Sequence, residues 1–208
     1  MREFGPRPGI DHGLTQSRRD FLKSAARVSS GLVLASALPE IELPVARDLS
    51  RITTEATGKQ SGNSGFRDYV AEQCKTSPDT QKCTTDFLRS PSTQLQTVIV
   101  APVTEELYLR AFPSFLVSLT DNKVENPFKE LAVGTGAFKF SRRELVAGAL
   151  STLTFGFLHN ITNRGVDTNT IPTPQLFLGA VNWVLQRRFG VLAPILNHAR
   201  WNYKALNG

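Results

Sequence analysis

The chain has 208 residues, of which 40% are apolar and 20% charged, with a net charge of +6 and a mean hydropathy of −0.17. A membrane span takes roughly 20 apolar residues, so this average excludes a chain made mostly of spans. General disorder is excluded too, because thirteen phenylalanines fall in clustered apolar stretches. Half of the excess charge lies in residues 1–30, where Arg2, Arg7, Arg18, Arg19, Lys23 and Arg27 face Glu3, Asp11 and Asp20. No nucleic-acid motif accompanies these cations and no aromatics interleave with them, so no nucleic-acid partner is expected. Histidines are scarce: His12, His159 and His198, the last two inside apolar segments.

In chain order, residues 1–40 read as an address. Ser17-Arg18-Arg19-Asp20-Phe21-Leu22-Lys23 resembles a twin-arginine export signal. The mildly apolar run Ala25–Leu38 follows, with Ala35-Ser36-Ala37 as a small-residue cleavage candidate. An uncleaved segment would serve as an N-terminal anchor. The alternative is an amphipathic helix capped by Ser17 or Asp20. Residues 41–94 read as a polar linker with small helical pieces, including the flexible run Gly58–Gly65 and short helices at Phe66–Cys74 and Thr80–Leu88. Cys74 and Cys83 flank a turn at Ser77-Pro78-Asp79, and in an exported protein they suggest one disulfide. A zinc pair lacks nearby partner cysteines or histidines; in a cytosolic chain both would be free thiols.

From residue 95 to 208 the character changes. Apolar helical stretches occur at about 95–119, 143–162, 173–188 and 190–204, and a charged loop with breakers at Asn126-Pro127 and Gly134-Thr135-Gly136 spans Asp121–Phe140. Neither internal repeats nor strand-like alternation are evident. The expectation is an all-α chain: a helical membrane bundle of about four core helices after a polar N-terminal region.

Certain polar residues are out of place in these helices. Glu105 and Glu106 interrupt an apolar run, and Arg110 lies four residues beyond Glu106 on the same face. That pair neutralises itself. Glu105 then points about 100° away without a local partner, as suits a general base. Phe155 and His159 are one helical turn apart, so the aromatic ring can fix the imidazole. His198 and Asn202 share a face at i, i+4 and can aim two donors at one developing oxyanion.

The ordered set EExxxR (Glu105, Glu106, Arg110), FxxxH (Phe155, His159) and HxxxN (His198, Asn202) resembles the CPBP family of CAAX prenyl proteases and bacteriocin-processing (Abi) intramembrane endopeptidases. Flanking Pro102, Ser151, Gly156, Gly179 and the basic turn Arg187-Arg188-Phe189-Gly190 agree, over about residues 95–205. The resemblance implies a peptide or membrane-associated protein as substrate and the bilayer as partner. Glu105 and His159 would activate a water, His198 and Asn202 would bind the oxyanion, and Glu106, Arg110 and Phe155 would support them. It implies metal-free chemistry with no cofactor; were zinc used, Glu105, His159 and His198 would be its ligands. With a twin-arginine signal, the implied location is a prokaryotic cell membrane with an exported N-terminal region. The alternative on the same scaffold is a non-enzymatic bacteriocin-immunity or toxin-binding protein. Nothing in the sequence sets the oligomeric state.

Overall fold

In a computed structural model of the protein, residues 11–111, 132–133 and 140–207 are described. The segment before residue 11, the expected continuation of the first core helix to 119 and most of the loop at 121–140 lie outside these residues.

The expectation of an all-α chain holds, since helices make up most of what is described. Two N-terminal helices come first, α1 (Asp11–Ala37) and α2 (Pro39–Thr57). Because α1 begins at Asp11, neither Ser17 nor Asp20 caps it. Pro39 opens α2 at a position where a missing N–H costs nothing, and Gly58 closes it at φ 68°, a left-handed conformation that glycine adopts without strain. Residues 41–57, polar on average, form most of this helix and are not loose: Ala46 and Glu42 are buried. An average over α2 hides its apolar side, which is what packs on the bundle.

Two short helices follow, α3 (Ser64–Cys74), capped by the Asn63 side chain, and α4 (Thr80–Arg89), capped by Asp79. Both caps accept a hydrogen bond from an otherwise orphaned N–H of the first turn, which is why these polar segments start helices where they do. A Cys74–Cys83 disulfide joins the two. The ring of Tyr69 meets that of Phe87 edge-on at 5.7 Å.

The next rod is irregular. It runs through α5 (Pro91–Leu95), a wide π-helical turn (Gln96–Val100), α6 (Ala101–Glu106) and a second π turn (Leu107–Ala111). Pro102 has no N–H to close on the carbonyl four residues back, so the regular ladder breaks where the wide turn sits. Three longer helices complete the bundle: α7 (Arg142–Leu158), α8 (Thr173–Phe189) and α9 (Leu192–Asn207). α7 begins in a full capping box, with Ser141 bonded to the Glu144 N–H and Glu144 bonded back to the Ser141 N–H. Glu144 also pairs with Arg187 of α8.

Three two-residue strand pairs tie the loops: β1 (Gln60–Ser61) runs parallel to β6 (Thr170–Ile171). β2 (Ala132–Val133) is antiparallel to β3 (Phe140–Ser141), and β4 (Ile161–Thr162) to β5 (Gly165–Val166). Pairs this short carry no alternation for a sequence pattern to reveal.

Two apolar clusters hold the helices together. Ala46, Phe155, Leu178 and Trp201 join α2, α7, α8 and α9. Ala35, Leu185 and Ala193 join α1, α8 and α9. Among the described residues no single helix is long and apolar enough to cross a membrane, but Arg18–Ala37 and Pro39–Thr57 meet the requirement together, bent by 51°.

The α7–α8 contact has its closest approach at Gly148. A Cβ on Gly148 would lie 2.3 Å from the Trp183 ring. That indole is itself held against Phe140, with centroids 4.8 Å apart. Gly148→Ala is therefore expected to destabilise the folded protein by about 1–3 kcal/mol through overpacking. A thermal melt in detergent reads this directly; an unchanged midpoint would mean that Trp183 is free to move aside.

Candidate active site

The two wide turns bracket α6 and set its two glutamates on different tasks. Glu106 points into the bundle and is fully buried, as is Arg110 one turn later. The two form an ion pair through Arg110 Nε. Arg110 also donates from Nη1 to the Gly179 carbonyl on α8 at 2.7 Å, and its guanidinium lies 4.6 Å from the centre of the Phe155 ring. A buried ion pair survives only when further hydrogen bonds offset its desolvation. Glu106 has them: Asn182 Nδ2 donates to Oε1 at 2.8 Å and His198 Nδ1 donates to the same oxygen at 3.0 Å.

Glu105 instead faces a cavity of about 930 Å³ that reaches His159, His198 and Asn202. Its Oε2 atom is buried without a hydrogen-bond partner. That oxygen lies 3.7 Å from His159 Nε2 and 3.9 Å from His198 Nε2. Both separations are too long for a direct hydrogen bond and suit a group held between them.

Each imidazole is fixed from its far side. His159 donates from Nδ1 to the Phe155 carbonyl at 2.7 Å, because a carbonyl can only accept. Its Nε2 therefore keeps a lone pair towards Glu105. Phe155 also packs on both rings, with centroids 4.7 Å from His159 and 5.4 Å from His198. For His198 the acceptor is the Glu106 carboxylate, which fixes the ring with Nε2 towards the cavity. Asn202 spends one amide hydrogen on the Thr97 carbonyl at 2.8 Å. The second remains for the cavity.

The disulfide-joined pair also lines the cavity, with Phe66, Tyr69 and Phe87, and the rod that carries Glu105 adds Ser92, Gln96 and Thr97. This cap is seated on the His159 loop by backbone: Gly65 N–H donates to the His159 carbonyl at 2.9 Å. A Cβ at Gly65 would come within 2.4 Å of the Ile161 carbonyl oxygen, so only glycine permits the approach. Past His159 the loop is held by buried Asn160, whose amide reaches the Thr170 carbonyl at 2.6 Å. Asp167, in the same loop, is held below the usual carboxylate range by the Thr170 hydroxyl and the Asn169 N–H.

All seven residues singled out from the three motifs thus meet at one place. Glu105, His159, His198 and Asn202 line the cavity, and Glu106, Arg110 and Phe155 lie directly behind them. Ser151 fixes the rod from α7 by donating to the Leu109 carbonyl at 2.6 Å. Sequence reasoning missed Asn182, which bonds Glu106, and Asn197 and Glu42 behind it, all three buried. The signal was present: each is a polar residue inside an apolar run. As for zinc, among the described residues no group of three His, Cys, Asp or Glu side chains is placed to hold a metal ion.

No curated protein and no solved structure matches the chain. A family model does, over residues 89–204, which is more than half of the chain and contains every motif residue of the cavity. Its description is type II CAAX prenyl endopeptidase Rce1-like, and the chain belongs to that family of membrane-embedded proteases.

Proposed function

We propose that the protein is a metal-free intramembrane endopeptidase that cleaves a peptide or membrane-associated protein segment with a water activated by Glu105 and His159. The observation that carries this reading is the unpartnered, buried Glu105 Oε2 between two imidazole Nε2 atoms at the end of the cavity. A water there hydrogen-bonds to Glu105 and to the His159 lone pair. The water oxygen attacks the scissile carbonyl carbon while its proton passes to Glu105. The oxyanion that forms takes hydrogen bonds from His198 Nε2–H and the free Asn202 amide hydrogen. Glu105 then returns the proton to the amide nitrogen as the C–N bond breaks, releasing a carboxylic acid and an amine. Glu106 never enters this proton path; it accepts from His198 Nδ1 and holds the ring in place.

The bilayer is the proposed surroundings. Along α7, Val146, Leu150, Leu153 and Phe157 form one exposed apolar stripe, and Leu95, Ile99, Leu107 and Tyr108 are exposed on the rod beside it. A soluble monomer seldom leaves so much contiguous apolar surface in water. Lipid satisfies it, and the substrate reaches the cavity from a membrane-associated position.

Two sets of measurements test this. In detergent, with a quenched-peptide library as substrate, Glu105→Gln and His159→Ala are each expected to abolish turnover. His198→Ala is expected to lower kcat by about 10²–10³-fold, the usual cost of one oxyanion donor. Equal activity in all these variants and the parent would defeat the assignment. Immunity to a bacteriocin that survived Glu105→Gln would point to the non-enzymatic binding protein instead. In the second measurement, prolonged treatment with a strong chelator is expected to leave turnover unchanged. Loss on chelation with recovery on added zinc would overturn the metal-free mechanism.

A further inference from the structure

One buried carboxylate is left unused by that mechanism. Glu42, on α2, is 3% exposed. It lies outside the span matched by the family, 155 residues from its hydrogen-bond partner, Asn197 of α9. Asn197 Nδ2 donates to both Glu42 oxygens, at 3.3 and 3.0 Å, and to Asn182 Oδ1 at 2.9 Å. Asn182 Nδ2 in turn donates to Glu106 Oε1, the atom that accepts from His198 Nδ1. Asn197, Asn182 and Glu106 are each fully buried. The hydrogen bonds therefore form one unbroken chain from Glu42 to His198 through α2, α9, α8 and α6.

The chemistry of the two ends gives this chain a direction. An amide can turn over and exchange its donor for its acceptor; an ionised carboxylate only accepts. With Glu42 accepting, Asn197 must present Nδ2. One of its two hydrogens is shared between the Glu42 oxygens, and the other goes to Asn182. Asn182 must then present Oδ1 to Asn197, which leaves its own Nδ2 aimed at Glu106. Were Asn197 to flip, Asn182 would follow, and a carbonyl oxygen would face the Glu106 carboxylate. That arrangement is repulsive and would displace the acceptor on which His198 depends.

We infer that Glu42 is a positioning residue for His198, fixing through Asn197 and Asn182 the donor that holds the Glu106 carboxylate against the imidazole. This rests on the proposed function for its effect on turnover, but not for its effect on the imidazole. It also gives α2 a role at the site that the matched family core does not contain.

The test uses the full chain in detergent with Glu42→Met, which fills a similar volume without an acceptor, and Glu42→Gln, which keeps one. Three quantities are read: kcat and KM on a cleaved peptide, the melting midpoint, and the proton signal of His198 Nδ1–H by NMR. With three histidines in the chain, that signal is assigned by its loss in His198→Ala. Glu42→Met is expected to lower kcat by about 10- to 100-fold with KM changed less than about threefold, as for a misplaced catalytic group. Its His198 Nδ1–H signal is expected to shift and to exchange faster with water. Glu42→Gln is expected to recover kcat to within about threefold, together with the parent signal.

A lowered melting midpoint with parent kcat and an unmoved signal would assign Glu42 a purely structural role and overturn the inference. So would a Glu42→Gln variant as impaired as Glu42→Met. If Glu42→Met does not fold, Glu42→Asp, which withdraws the acceptor by one methylene, is expected to show the same loss and signal shift. A parent protein that cleaved no peptide would sink the proposed function, while the imidazole signal would still decide the role of Glu42.

Discussion

The interaction on which the site depends is the buried pair of Glu106 and Arg110. Neither has access to water, so each charge must be met inside the protein. Removing one partner of such a pair strands the other, at a typical cost of about 3–5 kcal/mol. The pair is consequently surrounded by groups that serve it: the Gly179 carbonyl and Asn182 from α8, His198 from α9 and the face of Phe155 from α7. Satisfying two charges fixes the mutual placement of four helical segments. The geometry of the cavity follows from that electrostatic requirement, because His198 and Phe155 are themselves part of the solution.

Glu105 shows the opposite condition. It is adjacent in sequence and carries the same chemical group, yet the helix turns it into a cavity where its Oε2 has no fixed partner. One glutamate is fully hydrogen-bonded inside the bundle; its neighbour has one oxygen left without a partner. The broken helical ladder on either side of α6 makes this division workable, since a wide turn rotates the backbone without ending the helix. Adjacent acidic residues in an apolar rod therefore divide into a structural and a chemical member by direction alone.

That division is what made the site readable from sequence. A charged residue in an apolar helix needs a reason, and Glu105, Arg110, His159 and His198 each stood out on those terms. Helix boundaries were legible for the same kind of local reason: Asn63 and Asp79 cap α3 and α4 close to the expected starts, and the turn between paired cysteines follows from Pro78. The pairing of distant elements was not legible. Glu42 stands in Ile41-Glu42-Leu43-Pro44, as anomalous a setting as that of Glu105, but it follows a leader-like segment and lies far from the motifs. Only folding brings α2 against α9. Asn182 and Asn197 were overlooked because an amide in an apolar run signals less than a charge does. Short strand pairs such as β1 with β6 join residues more than a hundred positions apart and leave no local pattern at all.

Mean hydropathy also takes on a different meaning once the fold is known. The value of −0.17 averages exposed polar segments around the cap with helices whose outward faces are apolar. The polar residues of the core do not make it water-like. They are consumed internally, by Glu106 with Arg110, by Asn197 with Glu42 and by Asn160 with its loop carbonyls. A hydropathy sum counts such residues as if they faced solvent. Here they face one another, and the surface left outside on α7 and the rod is apolar. Polarity turned inward is thus what lets a chain of negative mean hydropathy present apolar outward faces on α7 and the rod.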